Sequence, residues 1–100
     1  MNVSALIECV RQGRRLLKLL AKKGSKEILL ELRKEPRRYK ELEELLTPKI
    51  NKRTLARRLI ELETAGLISR RVSAERPPST TYELTAKGKE ALKLIIKLEK

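Results

Sequence analysis

The chain has 100 residues and no Trp, Phe or His, and only one Cys, one Met and two Tyr. Each shortage excludes a kind of chemistry. Without His, metal catalysis and imidazole acid–base chemistry have little to draw on. A single Cys makes neither an intramolecular disulfide nor an ordinary zinc site. No nucleophile–base pair, phosphate-cradling Gly loop or metal cluster is legible, so an enzyme is not expected, nor is a cofactor or metal. Tyr39 and Tyr82 are the only aromatics, which disfavours single strands and RNA, whose sites lean on stacked rings. No apolar run reaches the roughly 18 to 20 residues that span a bilayer. Met1 to Val10 carries Glu8 and lacks the basic-then-apolar pattern of a secretory leader. The expectation is a cytoplasmic protein with no membrane partner.

What the chain has in excess is positive charge: 25 Lys and Arg against 13 Asp and Glu, a net +12. Such an excess concentrates polyanions and speeds their capture. A balanced Lys/Glu surface would solubilise equally well, and here the surplus is largely Arg in and beside recognisable elements. Nucleic acid is therefore the expected partner. The 40% of hydrophobic residues are almost all Leu, Ile, Val and Ala, which favours helices packed on helices. Few Gln, Asn, Cys and Met beside abundant Lys and Glu give a thermophile-like composition. The length suits one domain, 1–100, with a modest core that a second subunit would help.

Apolar residues at helical spacing (Val3, Leu6, Ile7, Val10, Leu17, Leu20) predict a helix from Ser4 to about Lys22, with Leu16 and Leu19 on a second apolar edge. Gly24-Ser25 punctuates, and Ser25 is expected to cap a helix that runs through Ile28, Leu29 and Leu32 and stops before Pro36. Arg37-Arg38-Tyr39 reads as a short extended link, and Lys40 to Leu46 as a short helix with Leu42, Leu45 and Leu46 inward. Pro48 ends it. Asn51 caps the next helix, with Leu55, Leu59 and Leu62 inward and Gly66 just past its end. The period then changes to two: 67–72 and 80–84 read as strands, with Pro77-Pro78 at an exposed tip. Thr85 caps a last helix, 86–100, that is apolar on so many sides that it must meet its own domain and something else.

Two short helices, a tight turn and a basic hairpin make a winged helix-turn-helix over 38–84, mainly α with a small β-hairpin and flanked by terminal helices (1–23 and 86–100) expected to form a dimer interface. A helix of about 10–12 Å diameter enters a major groove about 12 Å wide. In the helix at 51–65, the residues nearest its start meet base edges, which puts Asn51, Lys52, Arg53 and Thr54 first and Arg57 one turn on. Arg58 sits further round and is expected on phosphate. In the wing, 67–84, neighbours point to opposite faces, so only one of Arg70 and Arg71 can face a given side, and Arg76 at the tip suits a minor groove or phosphate. Arg38 and Lys40 precede or open a helix whose amides can also hold phosphate. Tyr39 is expected in the core with its hydroxyl at the rim. Leu6, Val10, Leu17, Leu94, Ile95 and Leu98 are the expected dimer contacts. Cys9 reads as a small buried hydrophobe.

The segments Arg38-Tyr39-Lys40-Glu41-Leu42, Ile50 to Leu55, Arg58 to Ile68 (with Glu61-Leu62-Glu63-Thr64-Ala65-Gly66-Leu67-Ile68), Pro77 and Tyr82 to Gly88 resemble the HxlR branch of the MarR-like winged-helix regulators, and other archaeal winged-helix regulators look similar. The likeness covers about Lys26 to Leu92. It implies a homodimeric transcription factor whose terminal helices form the interface and whose helix at Asn51 reads DNA. The chain departs from the family in lacking a Gly-Lys-Trp segment before the second helix, where Gly24-Ser25-Lys26 stands. Some members use an N-terminal Cys as a redox sensor, and Cys9 lies in a comparable region.

The expectation is thus a sequence-specific reader of double-stranded DNA, a nucleoid-associated homodimer with no small-molecule effector evident. Two other readings compete. A sequence-tolerant architectural protein would use +12 equally well, since phosphate contacts alone supply non-specific affinity. A winged helix can also serve protein–protein contact, which would be insensitive to salt.

Overall fold

The computed structural model describes residues 13–74 and 76–99, the side chains of Leu98 and Glu99 excepted. Expectations placed on Val3, Ser4, Leu6, Ile7, Cys9 and Val10, and on the Leu98 side chain, lie outside the described residues.

Residues 13–21 are helical (α1) and are followed by α2 (Ser25–Lys34), β1 (Arg37–Arg38), α3 (Tyr39–Leu46), α4 (Lys52–Thr64), β2 (Ile68–Val72), β3 (Thr80–Leu84) and α5 (Ala86–Glu99). The architecture is the expected one, mainly helical with a small sheet, but the sheet has three strands in the order β1-β3-β2. The link at Arg37-Arg38 is a strand: Arg37 pairs with Tyr82 and Arg38 with Thr81, antiparallel. Two residues carry no readable period. The free edge of β3 supplies their partner.

Local chemistry explains the boundaries. Ser25 does not cap α2. Gly24 holds that position at φ +96°, and the buried Ser25 hydroxyl donates to the Leu19 carbonyl at 2.6 Å. Ile50 Cδ1 lies 3.1 Å from where a Cβ on Gly24 would sit, so the tight α1–α2 turn needs both the conformation and the missing side chain. α4 starts as expected, the Asn51 side chain accepting from Thr54 N at 2.8 Å. It ends in paired bonds from Gly66 N to Glu63 O and from Leu67 N to Leu62 O, with Gly66 left-handed.

The core gathers Leu19, Ile28, Leu29 and Leu32 from the first two helices, Leu42 and Leu46 from α3, Leu55, Leu59 and Leu62 from α4, and Ile68, Tyr82, Leu84 and Leu92 beyond. Each such Leu or Ile contributes roughly 1.5–3 kcal/mol by leaving water. Leu45 is not among them. It is 50% exposed, because a helix of eight residues presents one stripe inward and Leu42 and Leu46, four apart, occupy it. Leu16 and Leu20 pack partly on the core, and Tyr39 does too. Leu17 and Leu94 stay exposed, at 60% and 58%, while Ile95 packs partly against the core.

Candidate nucleic-acid interface

Burial of Leu55, Leu59 and Leu62 fixes the roll of α4 about its axis. Arg53 and Arg57, four apart and so on one stripe, stand exposed on the opposite side, and among the described residues neither makes a hydrogen bond or ion pair. Thr54 is half-buried. Asn51 is exposed and spends its side-chain oxygen on the cap, which leaves its NH₂ group as donor. Lys52 is exposed, and its ammonium sits 3.1 Å from Glu43 on α3.

Arg58 departs from the expectation of a phosphate contact. Its Nε donates to the Lys23 carbonyl at 2.9 Å, its Nη1 pairs with Glu61, and the side chain is only 13% exposed. Lys22 joins the same carboxylate at 2.7 Å. The turn after α1 is thereby tied to the flank of α4. The Lys22 ammonium, then the Arg58 guanidinium, hold the Glu61 carboxyl below its ordinary range against the opposing effect of partial burial. Sequence reading set Arg58 on the exposed arc because its main partner is a backbone carbonyl 35 residues away, which no spacing rule reveals.

The start of α3 is basic on its outside. Arg38 and Lys40 are exposed, and Arg38 N donates to Glu41 Oε1 at 3.3 Å. Arg37 turns instead into a nest of carboxylates, with Glu35 at 2.8 Å, Glu41 at 3.6 Å and Glu31 at 3.8 Å. In the wing, Arg70 leans towards Glu63 of α4 at 3.7 Å and Arg71 towards Glu83 at 3.8 Å, on opposite faces as strand alternation requires. Burial pushes the Tyr82 phenol up, and Arg70 beside it pulls part of the way back. Arg76 is exposed at the tip, beyond the Ser73 N to Ser79 O bond that closes the hairpin.

The fold therefore brings Asn51, Lys52, Arg53, Thr54 and Arg57 onto one helix, with Lys40 across a groove shared by Glu43, Glu44, Thr47 and Lys52. Glu43 was missed by sequence reading. It lies nine residues before Lys52, and only the turn between α3 and α4 makes them neighbours. Among the described residues no group of His, Cys, Asp or Glu is placed to hold a metal ion, and no helix is long and apolar enough to cross a membrane.

A family model described as HxlR-like helix-turn-helix matches residues 19–100. An HTH-type transcriptional regulator of Synechocystis is 43% identical over 82 residues, which make up 82% of this chain and 60% of that protein. The HTH-type transcriptional regulator YodB of Bacillus subtilis is 40% identical over 70 residues, 70% of this chain and 62% of YodB. The structure of reduced YodB matches with a TM-score of 0.74 at 34% identity, over 83% of this chain and 80% of that one. A transcriptional regulator from Salmonella typhimurium, YtfH, matches with a TM-score of 0.76 at 26% identity, over 87% and 77% of the two chains. The chain thus spans about three-fifths of the length of the two curated relatives.

Proposed function

The chain belongs to the HxlR-like helix-turn-helix family, and on that premise we propose that it regulates transcription by binding double-stranded DNA as a homodimer, with sequence preference. In this reading α4 enters the major groove and the β2–β3 wing lies on the adjacent groove or backbone. The observation that carries it is the division of α4 into a buried leucine side and an outward side where Arg53 and Arg57 have no partner among the described residues.

Asn51, Lys52, Arg53 and Thr54 then address base edges, with Arg57 one turn further. An Arg fork on guanine O6 and N7 supplies about 1–3 kcal/mol of discrimination. Arg38, Lys40, Arg70, Arg71 and Arg76 supply phosphate or minor-groove contacts, Arg70 and Arg71 from opposite faces. Arg58 leaves this set, being committed within the subunit. The exposed Leu17 and Leu94, with part of Ile95, give the terminal helices an apolar surface for a second copy. Such a protein works on the nucleoid in the cytoplasm.

Selection of bound duplexes from a randomised pool tests the proposal. The expected outcome is a pseudo-palindromic motif with half-sites about 34 Å apart, or a multiple of that. Arg53→Ala should weaken binding and relax preference at one base pair. A pool with no enriched motif, or affinity equal for all sequences at physiological salt, would end the sequence-specific reading and favour an architectural role, and a monomer in sedimentation would end the dimer.

A further inference from the structure

We infer that Glu43 is a positioning residue for DNA recognition, holding Lys52 in a paired state that sequence-independent binding has to break. The inference rests on the proposed reading of α4. Glu43 Oε1 forms an ion pair with Lys52 Nζ at 3.1 Å, across the groove between α3 and α4. The two partners differ in setting: the Glu43 side chain is 23% exposed, on α3, whereas the Lys52 side chain is 76% exposed. Lys52 is also the first residue of α4, where base edges are met.

The consequence concerns specificity. A duplex of unrelated sequence offers this surface phosphates alone, and each phosphate that a cation neutralises steepens the salt dependence by about 0.9 in log–log slope. Lys52 is already neutralised by its own subunit, so it gains little from a phosphate. A base edge that accepts from the Lys52 ammonium in a dry, fixed geometry competes better, because a hydrogen bond to a charged donor strengthens as water leaves. Glu43 thus lowers affinity for the wrong duplexes more than for the right one. Neighbouring cations are in a different state: among the described residues Arg53 and Arg57 have no such partner.

The test is Glu43→Gln in the full chain, near-isosteric and without loss of a backbone bond, measured by titration at several salt concentrations against a selected duplex and an unrelated one. Glu43→Gln should tighten the unrelated duplex by roughly threefold to tenfold at low salt and add about 0.9 to its slope, so that the specificity ratio falls. In a Lys52→Ala background the same change should add nothing to the slope. Unchanged affinity and slope for the unrelated duplex would overturn the inference, as would an equal slope gain with Lys52 absent, which would mean plain repulsion by a surface carboxylate. If the wild-type chain binds no duplex at all, the proposed function falls and takes the inference with it. If it binds and Glu43→Gln behaves identically, the inference alone falls.

Discussion

Replacing Gly88 with Ala should be among the most damaging single changes in this domain, although it adds one methyl group. A Cβ built on Gly88 lies 2.1 Å from the Leu67 carbonyl oxygen, 2.7 Å from Leu84 Cδ1 and 3.0 Å from the Leu67 carbonyl carbon. The oxygen and carbon belong to the backbone, so no rotamer change clears them. Carbon and oxygen in contact need a little over 3 Å, and relief requires α5 to withdraw by about 1 Å. Withdrawal disturbs a bonded junction. Thr85 N donates to that same Leu67 oxygen at 3.1 Å, Gly88 N donates to Thr85 Oγ1 at 3.0 Å, and Thr85 Oγ1 donates to Gly66 O at 2.6 Å. Overpacking of this kind costs about 1–3 kcal/mol, and loss of one bond in the junction adds about 1 kcal/mol. At about 4–8 °C per kcal/mol for a domain of this size, thermal unfolding should drop by roughly 8 to 32 °C. Gly66→Ala is the control: its nearest neighbour is Lys87 Cδ at 3.8 Å, so it bears only the strain of a left-handed φ of +80°, about 1–2 kcal/mol. Calorimetry on the two variants decides. A Gly88→Ala protein that melts with the wild type, or above Gly66→Ala, refutes the close-approach reasoning.

Three further outcomes are expected. Arg58→Ala should lower stability by about 1–2 kcal/mol, because it strips a donor from the Lys23 carbonyl and from Glu61, and should leave the salt slope of DNA binding unmoved; a slope reduced by about 1 would return Arg58 to the phosphate-binding set. The Glu61 carboxyl, held below its ordinary value of 4.5, stabilises the fold fully above that pH and loses its contribution as the pH falls from there through the lowered value. Glu61→Gln should therefore show a smaller drop in melting temperature on acidification through this window than the wild type, and parallel curves would contradict it. Asn51→Ala should cost about 1 kcal/mol in denaturant unfolding through loss of the cap on Thr54 N; a cost indistinguishable from zero would show that water caps α4 as well.

Features that repeat or punctuate were legible in advance. The four-and-three spacing of Leu55, Leu59 and Leu62, the Asn51 cap, the stop at Gly66 and the strand over 80–84, with Tyr82 and Leu84 inward and Glu83 outward, all stand in the structure as read. What escaped depended on residues far apart in the chain. β1 exists because β3 has an edge to fill, and Arg37 and Arg38 alone show no strand pattern. Ser25 has the chemistry of a cap, yet the left-handed Gly24 takes that position and the hydroxyl turns to the Leu19 carbonyl instead. Among the outward residues of α4, the sequence distinguished cations from leucines but not a committed arginine from a free one: Arg57 and Arg58 are adjacent, and only packing against the α1–α2 turn separates their roles. The pairing of Lys52 is hidden from the sequence for the same reason, its carboxylate partner lying on a different helix.

The strand at Arg37–Arg38 passes straight into α3 at Tyr39, with no residue between them. A hinge needs at least one unpaired link whose torsions can change, and this junction has none: Arg38 is laddered to Thr81 and supports the first turn of α3 through its own amide. The hairpin and the helix-turn-helix consequently keep a set distance, like the jaws of a fixed-gap caliper. Under the proposed reading, a duplex that engages both must already have the matching groove separation or yield to it, and part of the selection among sequences then falls to the stiffness of the DNA itself.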